Sequence, residues 1–211
     1  MKLTKPTLTL FALLITGASM AQFPSNLKAK LPTTFSTSSL SEEQIGKGLK
    51  EALTKGVKKG VDRVSKPDGF FKDQSIKVLM PPDAKKVEDK LRTVGQGKKV
   101  DAAIESFNRA AEDASIQAKD IFTQAITSMT LTDAKNILSG KDDAATNFLR
   151  NKTKQELYNK FEPIIESSLN KVGATKHWET VMSSYNKLPF VKKVNPDLKQ
   201  YVTNKAIEGL F

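Results

Sequence analysis

The chain has no cysteine. No disulfide can staple it, and neither a thiolate nucleophile nor a cysteine-ligated metal is possible. Histidine occurs once, at His177. A zinc site built on two or more histidines is therefore not available, and a His-based relay would need a partner and a nucleophile. No run after residue 21 approaches the roughly 20 apolar residues of a membrane span. Aromatic residues make up only 7% of the chain, and they do not alternate with basic residues as in a nucleic-acid groove. No nucleic-acid partner is expected. Period-two alternation is almost missing, which argues against a sheet protein.

What is present begins with a leader. Lys2 and Lys5 form a positive start, Leu8 to Ile15 a short apolar core, and Ser19-Met20-Ala21 a cleavage signal before Gln22. This pattern predicts a secretory signal peptide over residues 1–21, and without cysteine it is not a lipoprotein leader. The exported chain keeps about 190 residues, enough for one domain with a real core. It should be soluble and periplasmic or secreted. Its formal charge falls from +11 to +9 on cleavage. The surplus is one-sided: residues 22–100 hold 17 Lys/Arg against 9 Asp/Glu, and residues 101–211 hold 15 against 14. Such asymmetry favours an anionic partner, although a solvated lysine-rich surface is the simpler reading.

Residues 22–40 read as a tether: Pro24 and Pro32 precede a Ser/Thr-rich run with too little apolar content to fold. From Ser41 a capping box with Gln44 opens a helix whose apolar positions are Ile45, Leu49, Leu53, Val57, Val61 and Val64. Gly56 and Gly60 lie four apart within it, a spacing that would let another backbone come close. Pro67-Asp68-Gly69 makes a turn, and Ile76–Met80 is the one plausible extended piece. Helices then follow after Pro81-Pro82, over 98–129 (two in series), from Asp133 to Leu138, from Asp142 to Arg150, and from Thr153 to Val172. Pro163 should kink that last helix or start another. A stripe of Trp178, Val181, Met182, Tyr185 and Leu188 marks one more, and Asn195-Pro196 opens the final helix. The fold class is all-α: one bundle-like domain over 41–211 with about eight helices and short loops.

Candidate chemistry is thin. Gly46-Lys47-Gly48 and Gly95-Gln96-Gly97 lack the strand and spacing of a phosphate loop. Asp133, Asp142 and Asp143 suit helix starts better than calcium. Glu162 and Glu166, one turn apart, could act as paired acids in glycoside hydrolysis, but on a polar face such pairs are usually solvated. No G-x-S-x-G elbow exists. No cofactor, metal or catalytic set is expected. The terminal Gly209-Leu210-Phe211 should tuck against the domain.

With these segments in place, the chain resembles a bacterial family known as domain of unknown function 4197. The resemblance runs from about Leu40 to the end. It rests on Leu49–Leu53, Pro67-Asp68-Gly69-Phe70, Asn108-Arg109-Ala110-Ala111-Glu112, Met129-Thr130 with Asp133-Ala134, Ile137–Gly140, and Ala144–Thr146. It closes with Lys187-Leu188-Pro189, Asp197-Leu198, Tyr201-Val202 and Gly209-Leu210-Phe211. It implies an exported helical protein of the Gram-negative envelope and no activity. It also implies a charged helix beyond Phe211. This sequence lacks that helix, so either the helix is dispensable or the sequence stops short of it.

The leading functional expectation is a non-catalytic domain that meets an anionic or protein partner in the cell envelope through Lys47, Lys50, Lys58, Lys59 and Arg63. The alternative is a carrier of a small apolar ligand, with Phe70, Phe71, Phe107, Phe122, Phe148 and Phe161 lining a cavity. A cell-wall hydrolase ranks below both.

Overall fold

Ser41 starts the first helix as its spacing predicts: its hydroxyl accepts from the Gln44 N–H, and the Gln44 side chain accepts from the Ser41 N–H at 2.8 Å. In the computed structural model, residues 40–211 are described except 188, 189, 191, 194 and 196 and the side chains of 180, 181, 184 and 185. The leader and the tether up to residue 39 lie outside the described residues. So do Leu188, Pro196 and the side chains of Val181 and Tyr185.

Eight α-helices are described: α1 Glu42–Val64, α2 Lys85–Thr93, α3 Gly97–Ser115, α4 Ala118–Thr127, α5 Leu131–Leu138, α6 Ala144–Lys171, α7 Ala174–Asn186 and α8 Leu198–Glu208. A 3₁₀ turn, Pro82–Ala84, leads into α2. No strand occurs among the described residues. The long helix α6 is the spine, packed against α3, α4, α5, α7 and α8. Its buried stripe is Leu149, Thr153, Leu157, Phe161, Ile165 and Leu169, one residue per turn. The Thr153 hydroxyl donates to the Leu149 carbonyl at 2.7 Å, so its burial leaves no polar group stranded. Helix α3 covers α6 with Phe107, Ala110, Ala111 and Ala114, all buried. The alanines allow close helix approach.

Several boundaries differ from those the pattern predicts. The two segments expected over 142–150 and 153–172 fall in one helix, α6, which continues through Pro163 without a new start. The proline ring is exposed there, so the unpaired carbonyl of the preceding turn faces water. Helix α5 begins at Leu131, where Thr130 and Asp133 form a capping box. Asp197, rather than Asn195, caps α8 by accepting from the Gln200 N–H at 2.9 Å. Asn195 sits one step back and accepts from the Asp197 N–H.

Among the described residues, no backbone approaches Gly56 or Gly60; a Cβ at either position meets none of their atoms within 4 Å. Close approach happens instead at Gly46, where a Cβ would lie 3.1 Å from the Leu131 side chain. The expected stripe of α1 is otherwise graded: Val61 and Val64 are buried, Leu49, Leu53 and Val57 are half-buried, and Ile45 is exposed.

Candidate functional site

Two regions hold the residues singled out by sequence: a polar node beneath Phe70 and the outer face of α1. The node is built by α3. Asn108 and Glu112 stand one turn apart on its buried side. Glu112 Oε1 accepts from the N–H groups of Phe70 and Phe71 at 3.0 and 3.1 Å. Its other oxygen accepts from Arg109 Nη1 at 2.8 Å. Arg109 also reaches Asp68 at 2.8 Å and Glu105 at 3.3 Å, and its guanidinium lies over the Phe71 ring. These bonds, to Glu112 first and then to Asp68, raise the Arg109 pKa still further. Asp68 is held below the usual carboxylate range by Lys72 and Arg109. It sits in the left-handed region at φ 71°, which an Asp tolerates better than most residues.

Asn108 closes the lower half of the same loop. Its side-chain amide accepts from the Val78 N–H at 2.9 Å and donates to the Val78 carbonyl at 2.8 Å. The one expected extended piece, Ile76–Met80, thus takes a side-chain amide in place of a neighbouring strand. At the top of the node Gly209 lies against Phe70, where a Cβ would come within 2.6 Å of the ring. Phe211 packs edge-on to Phe122 with centroids 5.6 Å apart, and Arg150 lies over its other face. The chain end is tucked in, as expected.

A family model described as "Protein of unknown function (DUF4197)" matches residues 39–211. The chain belongs to the DUF4197 family. No curated protein and no solved structure matches it. Three of the segments that carry the DUF4197 resemblance therefore meet at one place: Pro67–Phe70, Asn108–Glu112 and Gly209–Phe211. Their polar side chains are engaged there by main-chain and ion-pair bonds.

The outer face of α1 is different. Lys47, Lys58, Lys59 and Arg63 are exposed and Lys50 is half-buried. Lys50 donates to the Thr127 carbonyl at 2.8 Å, and Arg63 pairs with Asp73 at 2.6 Å. Lys47, Lys58 and Lys59 make no ion pair among the described residues. Arg63 divides two surface hollows. One, of about 530 Å³, is lined by charged groups including Lys66, Asp68, Lys72 and Asp73. The other is a groove of about 490 Å³ between α1 and the chain end, walled by Val57, Phe122, Leu149, Leu210 and Phe211. Gly56 and Gly60 form part of its α1 side.

The remaining candidates do not assemble. His177 is exposed on α7. Glu162 and Glu166 are bridged by Lys199 at 3.7 and 3.6 Å, and the Tyr158 hydroxyl donates to Glu162. Burial pulls the Lys199 pKa down, but Glu162, Glu166 and Asp197 together outweigh it and raise it. Asp133 is used in the α5 cap. Among the described residues, no three His, Asp or Glu side chains converge as a metal site, and no helix is long and apolar enough to cross a membrane. Of the six phenylalanines named as cavity walls, Phe70, Phe107, Phe122 and Phe161 are core. Only Phe122 borders the groove. Sequence reasoning named Asn108 and Glu112 only as carriers of the resemblance and missed their role; the available signal was two polar residues beside the apolar stripe that runs from Ile104 through Ala114.

Proposed function

We propose that this DUF4197 chain is an exported, non-catalytic binding domain whose first helix meets an anionic surface of the cell envelope. The observation that carries the reading is the outer face of α1, where Lys47, Lys58 and Lys59 stand exposed and make no ion pair among the described residues. A cation already paired with an acid gains little from a second anion; Lys58 and Lys59 have no acid within ion-pair distance among the described residues, while Lys47 stands in the field of Glu51. Arg63 is neutralised by Asp73, and Lys50 keeps its charge but is held half-buried by the Thr127 carbonyl, so both rank below the other three as contacts. The leader and the basic first half supply the compartment and the sign of the field.

Reversing both charges in Lys58→Glu/Lys59→Glu should cut co-sedimentation with phosphatidylglycerol vesicles at least about tenfold, since each lysine near such a surface is worth about 1 kcal/mol. Raising the salt well above physiological strength should have the same effect on the unchanged protein. Unchanged sedimentation of the double variant, or no sedimentation of the parent, overturns the reading.

The groove beside Phe211 favours a second reading, transport of a small apolar ligand. Its volume is in the range of small-molecule sites. Native mass spectrometry of protein taken from its own compartment separates the two, because only the carrier should arrive with extra mass.

A further inference from the structure

We propose that the loop between α7 and α8 is a membrane-inserting tip, in which Phe190 enters the headgroup layer of an anionic phospholipid bilayer and Lys187 and Lys193 lie against the phosphates. This rests on the anionic-partner reading above and names the partner as lipid.

Phe190 is fully exposed, at 107%. The other large apolar side chains that face solvent among the described residues are aliphatic and reach 64% at most. Its backbone is also left-handed, at φ 62°. A bulky residue in that region is an outlier, ordinarily kept there because its side chain packs. Phe190 is instead fully exposed, so the fold holds an aromatic outward from a left-handed backbone.

The charge around the ring indicates what covers it. From Lys187 to Lys193 the chain has three lysines and no acid. All three are exposed. Lys187 and Lys193 make no ion pair among the described residues, while Lys192 reaches Asp83 at 3.1 Å. That contact sets Lys192 beside the turn before α2; four residues ahead of Asp83, Leu79 is 56% exposed and its carbonyl accepts from the Tyr201 hydroxyl. Between Lys187 and Lys193 the described residues thus combine a fully exposed ring with two cations that make no ion pair among the described residues. Protein interfaces deplete lysine at their centres, where an anchoring aromatic sits. A bilayer surface does the reverse: it seats an aromatic at headgroup depth and draws lysines to the phosphates around it.

The purified exported chain can test this directly, because its single tryptophan, Trp178, is buried and gives a constant background. With phosphatidylglycerol vesicles, emission from Phe190→Trp should shift to the blue and be quenched by brominated acyl chains; with phosphatidylcholine alone it should do neither. Phe190→Ala should melt like the parent yet partition about tenfold more weakly, the loss of one partly inserted ring. If Phe190→Ala binds as well as the parent, or Phe190→Trp escapes the quencher, the tip is not inserted. The charge-reversed α1 variant then still decides the earlier reading. Capture of the chain by lipopolysaccharide or a protein, without binding to phospholipid, overturns the tip as well. If no variant binds any anionic vesicle, both ideas fall together.

Discussion

Truncating Glu112 is the sharpest test of how this domain is held together. Its side chain is 4% exposed and serves three donors: the N–H groups of Phe70 and Phe71 and the guanidinium of Arg109. In Glu112→Ala the Phe70 N–H loses its acceptor while its side chain remains fully buried. Breaking a buried charged pair costs about 3–5 kcal/mol. Arg109 keeps Asp68 and Glu105 and is partly solvated, which places the cost near the lower end, about 3 kcal/mol. At about 2–4 °C per kcal/mol for a domain of this size, the melting midpoint should fall by about 6–12 °C. Glu112→Gln keeps an acceptor for the two N–H groups but turns an uncharged amide toward Arg109. It should lose about half as much, as expected when a charge-assisted bond becomes a neutral one. Far-ultraviolet circular dichroism on heating gives the midpoints. Hydrogen exchange at the Phe70 and Phe71 amides should accelerate in the alanine variant more than exchange in α6. If Glu112→Ala melts within about 1 °C of the parent, or the two variants melt alike, the node does not work as described.

Replacing Gly56 and Gly60 together by alanine should raise the melting midpoint by about 4–8 °C, because each gains about 1 kcal/mol of helix propensity and meets no atom. A fall instead would mean that something covers that face. Acid should weaken the fold in a defined window. Asp68 is held down by Lys72 and Arg109, Asp73 by the Ser75 hydroxyl and N–H, and Asp133 by the Thr130 N–H and hydroxyl. Each carboxyl binds its proton less readily folded than unfolded, so its contribution is complete above the unfolded value of about 3.9 and is lost as pH falls below it. Urea midpoints should therefore be flat near neutrality and drop only under acid. A drop between pH 7 and 5 would contradict this assignment.

The helices were legible wherever a cap and an apolar stripe coincided. Ser41 with Gln44 opens a helix as the spacing requires, whereas the helix expected from Asp133 begins two residues earlier, at Leu131. Pro163 does not start a new helix, because a proline on an exposed face can sit within one, which local pattern does not reveal. Gly56 and Gly60 were read as a contact and turned out to line an open groove; spacing places residues on a common face but not a neighbour opposite them. The node was invisible for a related reason. Glu112 looks like any surface acid until the turn at Asp68 brings two main-chain N–H groups to it, and that meeting depends on tertiary structure alone. Of the residues picked for an anionic contact, Lys50 and Arg63 already have partners in the fold, a pairing across 77 and 10 positions of chain that helical periodicity cannot foresee.

The way Asn108 and Glu112 grip the 67–81 loop also orders the making of the fold. Phe70 lies 42 positions from Glu112, and Val78 lies 30 from Asn108. Closing those spans brings no return until the third helix exists to receive them. The loop must therefore dock late, after its receiver has wound, and by the same logic it should be the first piece to peel away when the protein opens. Pulse-labelled refolding would show the amides of residues 70, 71 and 78 gaining protection last.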